Sequence, residues 1–524
     1  AQYTNVRCHP STVADFLVKE DLGMKIEKLI LSNFRSYSEE ISIDFNDLNV
    51  FVGKNDIGKS TILEALDIFF NEGKGIIKMD TDDINKKAKE DGNIEINIGA
   101  IFGDLPAELT IDATNPTRLV DEYLLNRDGK LTIIKKYSNA GKEKVYVKAY
   151  HPTNIACSEL LLKKQADLKK LLTDEMICED KTKNAEIRKA IWGFHSENLQ
   201  LDDIDIELAK IDAKNTWDQL KTYLPLYSLF QSDRKNSDGD SEIQNPMKLA
   251  VQEILKDQKL LDSLNQVAAE VERKLKEVAD QTLEKLNEMN PEIANSLTPV
   301  IPSAESLKWV DVFKSVSITG DEDIPINKRG SGVKRLVLLN FFRAEAERRK
   351  NENNVPDIIY AIEEPETSQH PSYQRKLIEA FIELSKSDNT QVLLTTHSPS
   401  IVKMLQFEHL KLIKSEQLKE VVSVERNELP YPSLNEVNFL AFGESNDEYH
   451  NELYGFMQRE EVLADYKDGK ETIKYIRVKR NGDLISEQKI VSEYIRHQIH
   501  HPENTHNERY TDDQLQTSIN DMSR

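Results

Sequence analysis

The period of apolar and polar positions changes several times along residues 24–70. Lys25–Leu31 and Ile41–Phe45 alternate in part, as half-buried strands do. Asn49-Val-Phe-Val52 is short and apolar, a buried strand. A glycine loop follows, and Thr61–Phe70 reads as an apolar helix. Residues 93–150 are β-rich, with turn signals at Asn126-Arg-Asp-Gly129 and Ser138-Asn-Ala-Gly141. From about residue 156 the chain turns charged and helical. Leu260, Leu264, Val267, Val271, Leu275, Val278 and Leu286 recur at steps that place them on one helix face. Unbroken over 247–289, this helix would be on the order of 60 Å long, and Pro291 ends it. The expectation is a helix packed on its own domain; the other reading is a projecting coiled-coil arm with imperfect heptads. Residues 232–246 read as a polar loop. Residues 308–440 return to an α/β pattern. Strands at Asp357–Ile362 and Gln391–Thr395 flank a helix at Tyr373–Ser387, and two buried strands with a helical crossover predict a parallel sheet. Residues 441–524 form a separate C-terminal segment, and no repeat or low-complexity tract occurs.

The length of 524 residues implies two to four domains. With 69 Lys plus Arg against 91 Asp plus Glu, the formal charge is −22. So acidic a chain is a poor general coat for nucleic acid, though a local basic groove would still serve. The three cysteines, Cys8, Cys157 and Cys178, lie far apart, which excludes a disulfide scaffold or a CxxC zinc site and fits a reducing cytoplasm. No apolar run has the length of a membrane span. Residues 1–23 carry charges throughout and do not read as a secretory signal. They are expected to be an alternative start, a processed leader or a cloning remnant.

Four stretches carry chemistry. Gly53-Lys-Asn-Asp-Ile-Gly58-Lys59-Ser60 fits GxxxxGK[ST] between an apolar strand and a helix, the context this motif requires. Gly53 and Gly58 let backbone N–H groups turn around phosphate oxygens, and the helix N-terminus adds partial positive charge. Lys59 would reach the β and γ phosphates, and the Ser60 hydroxyl would coordinate Mg²⁺. Second, Ile358-Ile-Tyr-Ala-Ile-Glu363-Glu364-Pro-Glu366 delivers adjacent carboxylates to a strand end. Side chains alternate along a strand, so one carboxylate would serve the metal and the next the attacking water. Third, Gln391-Val-Leu-Leu-Thr-Thr-His397 ends in a histidine beside the phosphate site. Fourth, Gly330-Ser331-Gly332-Val-Lys334 precedes an apolar helix and offers a second anion-binding helix start.

In this order the motifs resemble the ABC-type ATPase heads of the SMC, RecF and OLD group, over about 24–75 and 320–405. The resemblance implies an α/β fold: an ABC-ATPase head with a parallel core sheet, helices and an antiparallel β lobe, carrying a helical or coiled-coil insertion and a small C-terminal α+β segment. The segments would be a leader or extension (1–23), the first half of the head (24–155), the insertion (156–307), the second half of the head (308–440) and a segment that binds an effector or partner (441–524). Ile26–Tyr37 looks like the start of such heads, with Arg35 near the nucleotide. Gly53–Ser60 looks like Walker A, and Asn55 and Thr61 join the nucleotide-binding set. Ser331, Gly332 and Lys334 look like a degenerate signature that faces the partner subunit's ATP. Glu363 and Glu364 look like the Walker B pair, with Glu363 and Ser60 at the metal, and His397 looks like the switch histidine. ATP and Mg²⁺ are the implied cofactors. No glutamine of the Q-loop kind is evident after the first helix; Asp82 or Asp83 would substitute.

Residues 405–524 show no Asp-x-Asp after an apolar strand, as a TOPRIM nuclease needs. A bare head resembles the ATPase subunits of two-gene anti-phage systems such as PARIS and Septu. That implies a cytoplasmic, toxin–antitoxin-like regulator: a homodimer or higher oligomer through its heads, with a separate effector nuclease, a phage trigger protein and abortive infection as the output. It implies no membrane partner. Two alternatives stand beside it. Arg496 and His501 have the R-x4-H spacing of HEPN-type ribonucleases, which would make this a single-chain RNase; four nearby histidines would also suit a metal. The other alternative is a RecF- or SMC-like DNA-repair ATPase.

Overall fold

The computed structural model describes residues 24–523 apart from 74, 113–114, 209–213, 232–250, 290–308, 310–339, 343, 345–356, 368–369, 416–418 and 425–432. The chain divides into two compact units. One holds the described residues up to Glu27 with Ala100–Lys135 and Lys144–Pro225; the other holds Lys28–Gly99, Lys136–Glu143 and the described residues from Leu226 onward. The strands are β1 (Lys25–Ser32), β2 (Ile41–Asp44), β3 (Leu48–Val52), β4 (Glu95–Gly103), β5 (Leu109–Asp112), β6 (Asn115–Thr117), β7 (Leu131–Ser138) and β8 (Lys144–Pro152). They continue as β9 (Leu201–Glu207), β10 (Leu226–Phe230), β11 (Ile358–Glu363), β12 (Thr390–Thr396), β13 (Leu410–Ser415), β14 (Lys419–Ser423), β15 (Thr472–Val478) and β16 (Leu484–Ile490).

The expected β lobe is a six-stranded sheet in the order β2-β1-β4-β7-β8-β9. β1 pairs antiparallel with β2, and β8 with β9. Within the first unit Arg188 and Glu122 form a buried bidentate pair, Nε to Oε2 at 2.6 Å and Nη2 to Oε1 at 2.8 Å.

The second unit is built on a sheet ordered β10-β11-β12-β3-β13-β14. The pairs β10–β11, β11–β12, β12–β3 and β3–β13 are parallel, and β14 closes the edge antiparallel. Every residue of β3 and β12 is buried, as continuous apolar runs in a covered parallel sheet must be. On one face Leu48, Val50, Val52, Tyr360 and Ile362 pack with Leu377, Ile378, Phe381 and Leu384 of the helix Pro371–Leu384. Phe342 sits edge-on to Phe230, Tyr360 and Phe381, with ring centroids 5.2, 5.4 and 4.9 Å away. The helix Lys59–Asn71 buries Ile62, Leu63, Leu66 and Phe69, and the Tyr227 hydroxyl donates to its Leu63 carbonyl at 2.6 Å.

Three expectations change here. The stretch 156–307 is not helical throughout, because β9 joins the lobe and β10 enters the core sheet. Leu226-Tyr-Ser-Leu-Phe230 is five residues long, too short for periodicity to separate a buried strand from a buried helix. The long helix runs Gln258–Met289, about 48 Å. It does not extend back to 247, because the Asp257 carboxylate accepts from the N–H groups of Lys259 and Leu260 and so starts a new helix. Among the described side chains of its apolar stripe, Leu260, Val267, Val271 and Leu275 are exposed. The C-terminal segment is the expected small α+β unit, with an antiparallel β15–β16 hairpin and helices Asp447–Arg459, Val491–His500 and Asp512–Met522. These helices share a core of Tyr449, Leu453, Met457, Ile495, Leu515 and Ile519.

Candidate nucleotide site

The parallel register brings the carboxyl ends of four strands together. Glu363 lies opposite Thr395, and Thr396 opposite Val52. The loop after β3, the end of β11, the end of β12 and the residue after β10 therefore share one edge, where ligands bind in open parallel sheets. An open cleft of about 720 Å³ lies there, lined by Arg35, Asn55, Gly58, Lys59, Ser60, Thr61, Gln231, Glu363, Glu364 and His397 among others.

The loop before the helix Lys59–Asn71 has the backbone its sequence predicts. Gly58 adopts φ +106°, and a Cβ there would meet the Ser36 hydroxyl at 3.0 Å and the Tyr37 hydroxyl at 3.1 Å. The Tyr37 hydroxyl donates to the Gly58 carbonyl at 3.1 Å, and Lys419 Nζ donates to the Ile57 carbonyl at 2.8 Å. The loop is thus held from outside. No side chain caps the helix start, so its first N–H groups are left for an acceptor such as phosphate. Lys59 Nζ folds back onto the carbonyls of Gly53 and Lys54, 3.0 Å from each. Burial lowers the Lys59 pKa, against the opposing pull of Glu364, Glu366, Asp56 and Glu363.

The two walls carry the carboxylates. The Ser60 hydroxyl donates to Glu363 Oε1. The strand-alternation argument for Glu363 and Glu364 does not hold. β11 ends at Glu363 and Glu364 turns left-handed at φ +43°, so both line the same cleft. Glu364 N–H donates to the Thr395 carbonyl at 3.1 Å, and its Oε1 lies 3.1 Å from His397 Nδ1. Glu366 is buried and accepts at Oε1 from the Thr396 hydroxyl at 2.6 Å and from His397 N–H at 3.2 Å. Burial pushes its carboxyl pKa up.

Arg35 enters the cleft from a left-handed loop residue, φ +49°. Its Nε donates to Asp83 Oδ1 at 2.7 Å and its Nη1 to Glu64 Oε2. Asp83 therefore supports Arg35 and is not among the cleft residues, so neither it nor Asp82 stands in for the missing glutamine. The cleft instead contains Gln231, directly after β10, whose Nε2 donates to Glu64 Oε1 at 3.0 Å while its own Oε1 is buried with no hydrogen-bond partner among the described residues. Gln231 was legible only as the polar residue ending an apolar run, inside a stretch read as helical. Glu64 also escaped the sequence argument, and Glu366 was read only as the last carboxylate of the run Glu363-Glu364-Pro-Glu366.

The donor set fits a hard divalent cation. Among the lining residues Arg35 and Lys59 face four carboxylates, Asp56, Glu64, Glu363 and Glu364. A polyphosphate would enter such a site only with its charge neutralised, and the Ser60 hydroxyl beside the Glu363 carboxylate supplies oxygen ligands. Ser331, Gly332 and Lys334 lie outside the described residues. In the C-terminal segment Arg496 lies over the Tyr454 ring at 4.4 Å, whereas His501 is exposed and pairs with Glu503 at 3.2 Å. Among the described residues no His, Cys, Asp and Glu group forms a metal cluster, and no helix is long and apolar enough to cross a membrane.

A family model described as AAA ATPase domain matches residues 24–402. An OLD nuclease of Thermus scotoductus is 32% identical over 94 residues, 18% of this chain and 17% of that protein. The Old nuclease of Escherichia phage P2 is 25% identical over 146 residues, 27% of this chain and 23% of its own length. The chain thus spans about a fifth of these curated relatives. Among solved structures, the SmcHead bound to the C-winged helix domain of ScpA has a TM-score of 0.37 at 15% identity, covering 77% of this chain and 99% of that one. The SMC head domain from Thermotoga maritima has a TM-score of 0.30 at 14% identity, covering 76% and 99%.

Proposed function

The chain belongs to the AAA ATPase domain family and is an ATPase, and from that premise we propose that its ATP cycle controls a separate effector nuclease in anti-phage defence. The observation that carries the ATP chemistry is the convergence of Lys59, Ser60, Gln231, Glu363, Glu364 and His397 on one cleft. Arg35, Lys59 and the N–H groups of the loop Gly53–Gly58 bind the phosphates. Lys59 exchanges its two carbonyl partners for phosphate oxygens as ATP enters. Ser60 and Glu363 would hold Mg²⁺, which would neutralise charge on the phosphates. Glu364 acts as the general base. Its carboxylate takes a proton from water as the water oxygen bonds to the γ-phosphorus, and the bond to the departing ADP oxygen breaks, releasing ADP and phosphate. His397 orients that carboxylate through Nδ1.

The effector half of the reading is supported by two things. The relatives are OLD nucleases, matched over only a part of their length, and residues 405–524 carry no Asp-x-Asp after an apolar strand. Two heads with ATP between them would form the engaged state, and contacts to the γ-phosphate would shift the population towards it. The test is native mass spectrometry of this chain co-expressed with its genomic neighbours, with and without ATP. A stable complex with a second polypeptide supports the effector reading. An oligomer of this chain alone overturns it and makes RNA cleavage, with Arg496→Ala and His501→Ala as controls, the next assay.

A further inference from the structure

We infer that Glu366 is a positioning residue for hydrolysis: its buried carboxylate fixes the end of β12 and thereby sets His397 against Glu364. The inference rests on the reading of Glu364 as the base. One oxygen does the fixing. Oε1 accepts from the Thr396 hydroxyl at 2.6 Å and from His397 N–H at 3.2 Å, and the Thr396 oxygen in turn accepts from Ser398 N–H at 3.0 Å. Two consecutive residues donate to this one atom, the third reaches it only through the Thr396 hydroxyl, and the middle residue carries the imidazole. His397 Nδ1 then lies 3.1 Å from Glu364 Oε1 and 3.8 Å from Glu366 Oε1.

Glu366 is itself anchored from the other side. Gln374 Nε2, on the helix Pro371–Leu384, donates to the Glu366 carbonyl at 3.1 Å. Thr367 N–H closes the turn onto the Glu364 carbonyl at 3.1 Å. The turn that holds the base and the strand end that holds the histidine are therefore joined by this side chain as well as by the Glu364 N–H to Thr395. The arrangement is unfavourable for stability alone, because Glu366 is 5% exposed and its Oε2 has no hydrogen-bond partner among the described residues. A buried carboxyl with an idle oxygen is a poor way to pack a sheet edge. Its use lies in geometry, since sub-ångström placement of a base and its orienting group governs turnover.

The experiment is steady-state ATPase kinetics on the full chain, with binding of a fluorescent ATP analogue and a thermal melt on each variant. Glu366→Gln keeps an Oε1 acceptor and should retain kcat within about threefold, even where its buried amide lowers the melting temperature. Glu366→Ala should lose kcat by about tenfold or more with KM and analogue binding unchanged. In a His397→Ala background Glu366→Ala should add less than about twofold further loss, because both act on one element. Thr396→Val removes a single donor and should lower kcat by about threefold, which tests the link if Glu366→Ala does not fold. Glu366→Ala at near wild-type kcat, or losses that multiply with His397→Ala, would overturn the inference while Glu364→Gln stays inactive. Full turnover by Glu364→Gln would instead overturn the assignment of the base.

Discussion

Gln231 Nε2 donates to Glu64 Oε1 at 3.0 Å, while the other oxygen of Glu64 takes the Arg35 guanidinium. One carboxylate on the helix Lys59–Asn71 thus holds two cleft residues that enter from different strand ends. Glu64→Ala should release both. The expected result is about a tenfold fall in kcat with a severalfold rise in KM for ATP. Steady-state kinetics reads both, and unchanged constants would mean that Arg35 and Gln231 are aimed by something else.

Among the described residues Lys59 Nζ hydrogen-bonds only the backbone carbonyls of Gly53 and Lys54. Its burial lowers its pKa, so the free protein gains little from its charge. Lys59→Ala should leave the melting temperature of the nucleotide-free protein unchanged or higher. It should weaken ATP binding by at least about tenfold through loss of a charged phosphate contact. Isothermal titration with ATP and a non-hydrolysable analogue measures this directly.

Glu364→Gln keeps the size of the side chain and its reach to His397 but removes the proton acceptor. ATP should bind with near wild-type affinity and remain uncleaved, turnover falling by about a hundredfold or more. A filter-retained, ATP-loaded complex that persists for minutes is the signature. Rapid loss of labelled phosphate would show that the water is activated elsewhere.

Much of this site was legible because its signals are local. Gly53–Ser60 needs particular residue types at fixed spacing, and β11 and β12 announce themselves as unbroken apolar runs. What escaped depends on contacts between distant parts of the chain. Gln231 and Glu64 meet across 167 residues, and no pattern around either one encodes the meeting. The left-handed turn at Glu364 is likewise set by the hydrogen bond to Thr395 on another strand, so alternation along β11 gave the wrong face. The apolar stripe of Gln258–Met289 was readable as a helix face, but periodicity alone does not say what covers that face.

The Arg188–Glu122 pair gives a stability prediction in the first unit. Both side chains are 2% exposed, and the Thr117 hydroxyl adds a bond to Glu122 Oε1 at 2.9 Å. Glu122→Ala would remove both charged bonds from a buried guanidinium and should destabilise by about 3–5 kcal/mol. Replacing both residues with apolar ones of similar volume should recover most of that loss. A thermal melt of the single and double variants separates a pair that stabilises from one that merely must not be broken.

The C-terminal segment should lose stability in mild acid, and His450 is the reason. It is fully buried on the helix Asp447–Arg459, its Nε2 is 3.0 Å from the Ser518 hydroxyl, and its Nδ1 has no partner among the described residues. Burial lowers its pKa from 6.5 to about 4, with Arg496 acting in the same direction and Asp447 opposing. Between those values the unfolded chain binds a proton that the folded chain refuses. Stability therefore rises with pH across this window and falls as pH drops from about 6.5 towards 4. The loss should reach about 2 kcal/mol by pH 5. Hydrogen exchange in the helices Asp447–Arg459 and Asp512–Met522 should accelerate from pH 7 to pH 5 after correction for the intrinsic rate. His450→Gln, which keeps a side-chain bond to Ser518 but cannot take up a proton, should flatten that dependence. If the variant keeps the wild-type slope, the acid sensitivity does not come from the imidazole.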